Sequence, residues 1–481
     1  MEKINGRKLS LIFIFILILL VIALLVGKFT YSYLGPTISD DLETQGEVTA
    51  SGDTLIFTKG NNLSLSATTD NFTTGGTNLT STTNPKVKLV ASTKTNQADA
   101  TYYVGVYIKS NSYVYTTSGN TPELILTIKD EKGNNVSSGV DGLTYVTSGG
   151  VSGFDVTGKK GLFNIKTDYP ISTTSSSAGT THTWTFTLTF VNLGTDQSDN
   201  ENASMNVDIY LQKEEYKLPL NEYVISQYTG TQGENSIYYH NSSLTNGAGD
   251  NSYRYAGASD SVNNYICLGS DATTCPDANL FRIIGVFGDK TKVIRTGLND
   301  TQWDSNNSNT WSTSSLNAYL NKTYLTSLGT LADKIATTTW KVGGGSWSSI
   351  GTSVPKTAYQ YEVGSSASST TYDAKIGLMY VTDYYYSASP SAWTLVGYNS
   401  SDATKDYRAA KTINWLYSGS NDWTISHYSD SKSGVFSVNS TGFVDGDLAT
   451  YTCMVRPSFN LESSVKYVSG SGSMSDPVRI K

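Results

Sequence analysis

The run from Leu9 to Gly27, LSLIFIFILILLVIALLVG, constrains this chain more than any other stretch. It carries no charge and no proline. As a helix it would extend about 28 Å, near the hydrocarbon thickness of a bilayer. Each central Leu, Ile, Phe or Val favours insertion by roughly 0.3–0.6 kcal/mol, so the sum is several kcal/mol. Lys3, Arg7 and Lys8 precede the run, whereas Asp40, Asp41, Glu43 and Glu47 follow it. This asymmetry predicts residues 1–8 as a cytoplasmic tail and 9–27 as a single transmembrane helix, an uncleaved signal-anchor. Everything after Lys28 is then extracellular, and the expected location is the plasma membrane. A cleaved signal peptide is the alternative, but its apolar core is usually shorter and ends at a small-residue site.

At 481 residues the chain is too long for one core. Only 16% of it is charged, and 33 tyrosines exceed 14 phenylalanines, which favours a β-rich extracellular protein over one built on salt-bridged helices. The net charge of −7 argues against nucleic acid as a partner. Cys267 and Cys275 flank a polar Gly269–Thr274 turn and can close a small disulfide loop outside the cell, with two unpaired thiols as the alternative. Cys453 is left over and is expected to pack as a small apolar residue.

Period-two alternation marks residues 36–215. In Thr183–Phe190, Trp184, Phe186, Leu188 and Phe190 alternate with threonines. Leu124, Leu126 and Ile128 repeat the pattern before an Asp130–Asn134 turn, and Met205, Val207, Ile209 and Leu211 repeat it again. Strands with one buried and one wet face, separated by Gly/Asn/Ser turns, predict an antiparallel β-sandwich acting as a stalk. Gly153–Lys160 nearly spells a phosphate-binding loop, but Lys160 stands where a magnesium-holding Ser or Thr is needed, so it reads as a turn. The charged segment ending at Pro219 opens an expected linker over 216–235.

Residues 236–481 read as a second, α+β domain. Leu280–Phe287 is apolar on both faces, as a central strand is. Ser312 or Thr313 can cap a helix that places Leu316, Tyr319 and Leu320 on one face, and a second helical piece covers 324–336. Strands are expected at 376–382, 422–426, 434–444 and 454–461.

Asn264-Tyr265-Ile266, Phe281-Arg282-Ile283-Ile284-Gly285, Trp311 to Leu316 with Tyr319-Leu320-Asn321, and Val455-Arg456-Pro457 occur in that order. In this the chain resembles a family of uncharacterised surface proteins from Gram-positive bacteria, over residues 253–480. Their C-terminal module is similar to the C-type-lectin-like fold shared by formylglycine-generating enzymes. The resemblance implies an architecture and little chemistry. The reactive cysteine pair of those enzymes has no counterpart beside Cys453, and the calcium-lectin tripeptides are absent.

No catalytic constellation emerges. His182, His240 and His427 lie outside any zinc-protease motif, and no G-x-S-x-G elbow occurs. Ser426-His427 with Asp430 are neighbours that would point in different directions. No cofactor is expected. Calcium is the alternative, because Asp304–Ser308 begins like a calcium loop but lacks its Gly and closing Glu. Arg456, between Val455 and Pro457, is expected to form a buried ion pair that anchors the C-terminal strand. Tyr384, Tyr385, Tyr386, Trp393 and Trp423 sit among Ser, Asn and Gly and are the candidate binding aromatics, at least one of the three tyrosines being exposed if they are extended. The expected function is a single-pass cell-surface binding or adhesion protein whose lectin-like domain meets an extracellular protein or glycan. An extracellular cell-wall hydrolase and a structural envelope or fibre subunit are the alternatives.

Overall fold

The computed structural model describes residues 53–481 apart from 62, 64 and 66–68. The chain divides into two units, Met1–Tyr216 and Lys217–Lys481.

Among the described residues of the first unit every ladder is antiparallel. Strands β1 (Thr54–Thr58), β3 (Lys86–Val90) and β9 (Thr180–Thr183) pair in the order β1-β3-β9. A five-stranded sheet runs β2-β10-β5-β7-β6, from β2 (Leu79–Thr83), β10 (Thr185–Phe190), β5 (Leu124–Lys129), β7 (Val151–Asp155) and β6 (Thr144–Ser148). A third sheet runs β11-β4-β8, from β11 (Met205–Gln212), β4 (Ala98–Asn111) and β8 (Gly161–Thr173). In β10 and β5 the alternating residues behave as their pattern requires, Trp184, Phe186, Leu188, Phe190, Leu124, Leu126 and Ile128 sharing one core, whereas in β11 Met205, Val207, Ile209 and Leu211 are only partly buried and Tyr210 between them is buried. The strand expected over 183–190 is broken at Trp184, whose backbone N–H bonds Pro85 O and whose indole donates to Tyr102 Oη at 2.8 Å. His182, the other partner of Tyr102 Oη, is half-buried, and burial lowers its pKa. Residues Gly153–Lys160 run from the end of β7 into a turn, as their composition indicates.

The second unit mixes short strands with short helices. Its largest sheet has the order β12-β13-β15-β16-β25-β20, with β14 on β15. These strands are β12 (Ile237–Tyr239), β13 (Tyr253–Tyr255), β14 (Tyr265–Cys267), β15 (Leu280–Phe287), β16 (Lys290–Arg295), β20 (Ile376–Gly377) and β25 (Ser458–Leu461). Strand β15 is buried from Leu280 to Val286, as its largely apolar sequence predicts, with Arg282 the one charged residue among them. At its bulge a Cβ on Gly285 would lie 2.1 Å from Tyr253 O, so only glycine lets the two backbones approach. A second sheet has the order β17-β24-β21-β22-β23, from β17 (Asp300–Gln302), β21 (Asp422–His427), β22 (Gly434–Val438), β23 (Val444–Leu448) and β24 (Thr452–Met454). Two short ladders, β18 (Thr338–Lys341) with β19 (Thr371–Ala374) and β26 (Tyr467–Ser469) with β27 (Arg479–Ile480), complete it.

The expected fold class needs correction. The helix predicted over 9–27 and the tail 1–8 lie outside the described residues. Among the described residues no helix is long and apolar enough to cross a membrane. Over the described residues as a whole strand outweighs helix, so the chain is mainly β; in the distal unit short α-helices, eight residues at most, lie between the sheets. Residues 216–235 do not form a plain linker: Leu220–Ser226 is helical, and Leu220 and Val224 belong to the distal core. The strand expected over 376–382 is cut to two residues. It gives way to the helix Val381–Tyr386, whose first N–H groups are taken up by the distant Glu362 carboxylate. The strand expected over 454–461 is interrupted at Val455-Arg456-Pro457, where proline supplies no ladder donor.

Candidate functional site

The aromatic residues expected to bind ligand are core residues. Tyr384, Tyr385, Tyr386, Trp393 and Trp423 are each at most 1% exposed. The three tyrosines lie on a helix rather than a strand, so the rule that alternate residues face opposite ways does not apply. Each polar tip has a partner. Tyr384 Oη donates to Gly442 O, Tyr385 Oη to Ile350 O and Tyr386 Oη to Asn246 O. Trp393 donates to Ala388 O and Trp423 to Thr301 O.

Around that helix lies a buried charge cluster. Asp383 accepts from Lys292 Nζ at 2.6 Å, and the Arg254 guanidinium stands 3.9 Å away while pairing with Asp250 at 2.6 Å. Burial pulls the Lys292 pKa down, and Asp383 is the main influence opposing it. Glu362 accepts from the Val381 and Thr382 backbone, the Thr382 hydroxyl and Ser426 Oγ. Burial nevertheless raises its pKa. This cluster fixes the Val381–Tyr386 helix in the core. Ser426 is thereby committed to Glu362, and His427 Nε2 bonds Val342 O, so the triad letters of that segment form no triad.

Other expected residues sit as follows. Cys267 and Cys275 form a disulfide, and Cys453 is a buried free thiol. Arg456 is 4% exposed and pairs with Asp422 at 3.2 Å while donating to Leu416 O and Arg295 O. It thereby ties the approach to β25 to β16 and β21. Asp304 is 1% exposed, and its carboxylate accepts the N–H groups of Asn306, Ser308 and Ser315. The calcium-like letters of Asp304–Ser308 thus build an Asx-type turn. No group of three or more metal-ligating side chains occurs among the described residues.

What the structure does present is a cleft of about 660 Å³. Its lining includes Arg295 at the end of β16, Asn299 and the β17 residues Asp300 and Gln302, Ser315 and Tyr319, with Leu316 and Val455 as apolar floor. Strand β17 is held from both sides. It pairs with β24, and Trp423 grips Thr301 O from within the core. Ser314, not Ser312 or Thr313, caps the following helix, its Oγ accepting from Asn317 N–H. Leu316, Leu320 and Tyr324 then face inward, while Tyr319, expected on the same apolar face, is 43% exposed at the cleft. The backbone over Tyr319–Tyr324 is a π-helical turn, a widening common at functional positions. Behind Arg295 lies the ring of Tyr324, 5.9 Å from the guanidinium carbon. Burial raises the Tyr324 pKa, and Arg295 acts against that rise. Arg295 Nε and Tyr324 Oη are both buried, and outside the contact between these two side chains neither atom finds a hydrogen-bond partner.

A second cleft, of about 650 Å³, borders the disulfide loop and is lined by Ser270, Asp271, Lys334, Asp476 and Arg479 among others. It offers a more polar surface and no exposed aromatic ring. The curated proteins include none that matches the chain. Residues 288–463 match the model of a domain of unknown function, DUF6273, and every residue lining the first cleft falls inside that segment.

Proposed function

We propose that the protein is a saccharide-binding protein working outside the cytoplasm, with its site in the cleft between Arg295–Gln302 and Ser315–Tyr319. The observation that carries this reading is the cleft's make-up: an exposed tyrosine ring beside Asn299, Asp300, Gln302 and Ser315 over an apolar floor. Sugars present an apolar C–H face and a ring of hydroxyls. An aromatic face with amide, hydroxyl and carboxylate groups beside it complements both, and a concave site of several hundred Å³ suits a ligand of a few sugar rings. A flat protein-docking surface would not need this concavity. The Cys267–Cys275 disulfide supports an oxidising compartment. Binding without turnover is favoured over hydrolysis, because the lining contributes one carboxylate, Asp300, whereas glycosidases use a pair.

The test is a binding screen of the full chain against immobilised oligosaccharides, with and without calcium. Retention on a defined subset, lost when Tyr319 and Asn299 are replaced by alanine, is the expected result. Retention unaffected by those substitutions would move the site elsewhere, and no retention on any saccharide would remove the proposal.

A further inference from the structure

We infer that the ligand of this cleft carries a carboxylate, received by Arg295; the inference rests on the saccharide reading above. Arginines that are partly buried are ordinarily matched. Arg254 meets Asp250 and Asp383, Arg408 meets Asp406, and Arg456 meets Asp422. Arg282 has no carboxylate, but Asn264, Ser259 and the carbonyls of Val262 and Trp415 accept its N–H groups. Arg295 differs from all of these. Among the described residues it makes no ion pair, and it borders an open cleft. Behind it lies the Tyr324 ring, on a side chain 3% exposed that does not line the cleft and carries no charge to offset the cation. A guanidinium at the cleft wall with no carboxylate of its own asks for an anion that can take two of its N–H groups. A planar carboxylate fits a guanidinium edge in that way.

The surroundings also select against a bulkier or more highly charged anion. Asp300 lines the same cleft and would repel a second negative charge. Tyr319 supplies a sugar-sized ring face on the same wall, which places the acidic group and the pyranose in one ligand. The class is therefore an acidic sugar, a uronate or another carboxylate-bearing pyranose within an oligosaccharide. A free phosphate would use the cation and leave the ring unused.

The experiment is calorimetric titration of the full chain with acidic oligosaccharides (uronate-, sialate- and muramate-containing) and with their carboxyl-reduced counterparts, which differ only by CH2OH in place of the carboxylate. The expected result is at least one acidic member bound about tenfold or more tightly than its reduced form, equivalent to about 1.4 kcal/mol. Arg295→Gln should erase that preference with little change in the melting temperature, since Arg295 makes no ion pair among the described residues. Arg295→Lys should keep part of it as a point charge. Equal binding of the acid and reduced forms would overturn the carboxylate inference and leave the saccharide reading standing. Binding of neither form, across the panel, would overturn both. Preference retained in Arg295→Gln would place the anion elsewhere and overturn the assignment to Arg295.

Discussion

Replacing Asp383 with alanine tests the buried charge cluster on which the distal core depends. In the native chain Asp383 Oδ2 accepts from Lys292 Nζ at 2.6 Å and from the Tyr380 backbone N–H at 2.8 Å. The Lys292 and Arg254 side chains are 5% and 3% exposed, so neither cation can turn to water when the carboxylate is lost. At 4 Å and an effective dielectric near 20, one such attraction is about 4 kcal/mol. Removing one partner of a buried pair costs about 3–5 kcal/mol, and that is the expected loss for Asp383→Ala near neutral pH. The loss should depend on pH. Burial already holds the Lys292 pKa below the usual lysine value, and without Asp383 it drops further. The unfolded chain then binds a proton that the folded chain does not, so the variant's stability rises with pH towards about 10.4, the unfolded lysine value. Urea unfolding of the full chain at pH 7 and pH 9, followed by tryptophan fluorescence, reads this directly, because seven of eight tryptophans lie beyond residue 300. Asp383→Ala with Lys292→Met should recover part of the loss, since no unpaired ammonium is left behind. A loss below about 1 kcal/mol that is equal at the two pH values would refute this electrostatic account.

Three further outcomes follow from the same structure. Tyr319→Ala should weaken saccharide binding at least tenfold, equivalent to about 1.4 kcal/mol, while leaving the melting temperature nearly unchanged, because the residue is 43% exposed and lies outside the distal core; calorimetry and thermal unfolding together check this. Reducing Cys267–Cys275 should cost about 2.5 kcal/mol by loop-closure entropy for an eight-residue separation, read as a lower urea midpoint in reductant and no shift in Cys267→Ser with Cys275→Ser. His240 is buried, its Nδ1 accepts the Ala248 N–H, and burial followed by the Arg254 charge holds its pKa well below the ordinary value. It stays neutral in the fold while the unfolded chain protonates below about pH 6.5, so stability should fall with a one-proton slope of about 1.4 kcal/mol per pH unit on acidification, a slope that His240→Gln removes.

Local periodicity made part of this fold readable. The alternation around Trp184–Phe190 and Leu124–Ile128 belongs to strands whose buried faces meet in one core, and both the apolar run of β15 and the Cys267–Cys275 spacing carry their meaning within a few residues. Arg456 was legible because a cation within an apolar segment needs a partner. The tyrosine triplet was not. Its strand-like composition is overridden by Glu362, nineteen residues upstream of Val381, which caps a short helix that no local signal announces. Tyr319 was misread for a different reason, since spacing alone put it with Leu316 and Leu320, whereas the inward row is Leu316, Leu320 and Tyr324. The cleft itself is assembled from 295–302, 315–319 and Val455, and such a meeting of distant segments leaves no mark in the sequence of any one of them.

The most direct measurement of the central claim is a crystal structure of the full chain soaked with an oligosaccharide that it binds. The account predicts a sugar ring lying flat on the Tyr319 face, with hydroxyls on Asn299 or Asp300 and an acidic group at Arg295. A saccharide seated instead in the cleft beside the disulfide loop, with the Tyr319 ring bare, would contradict it.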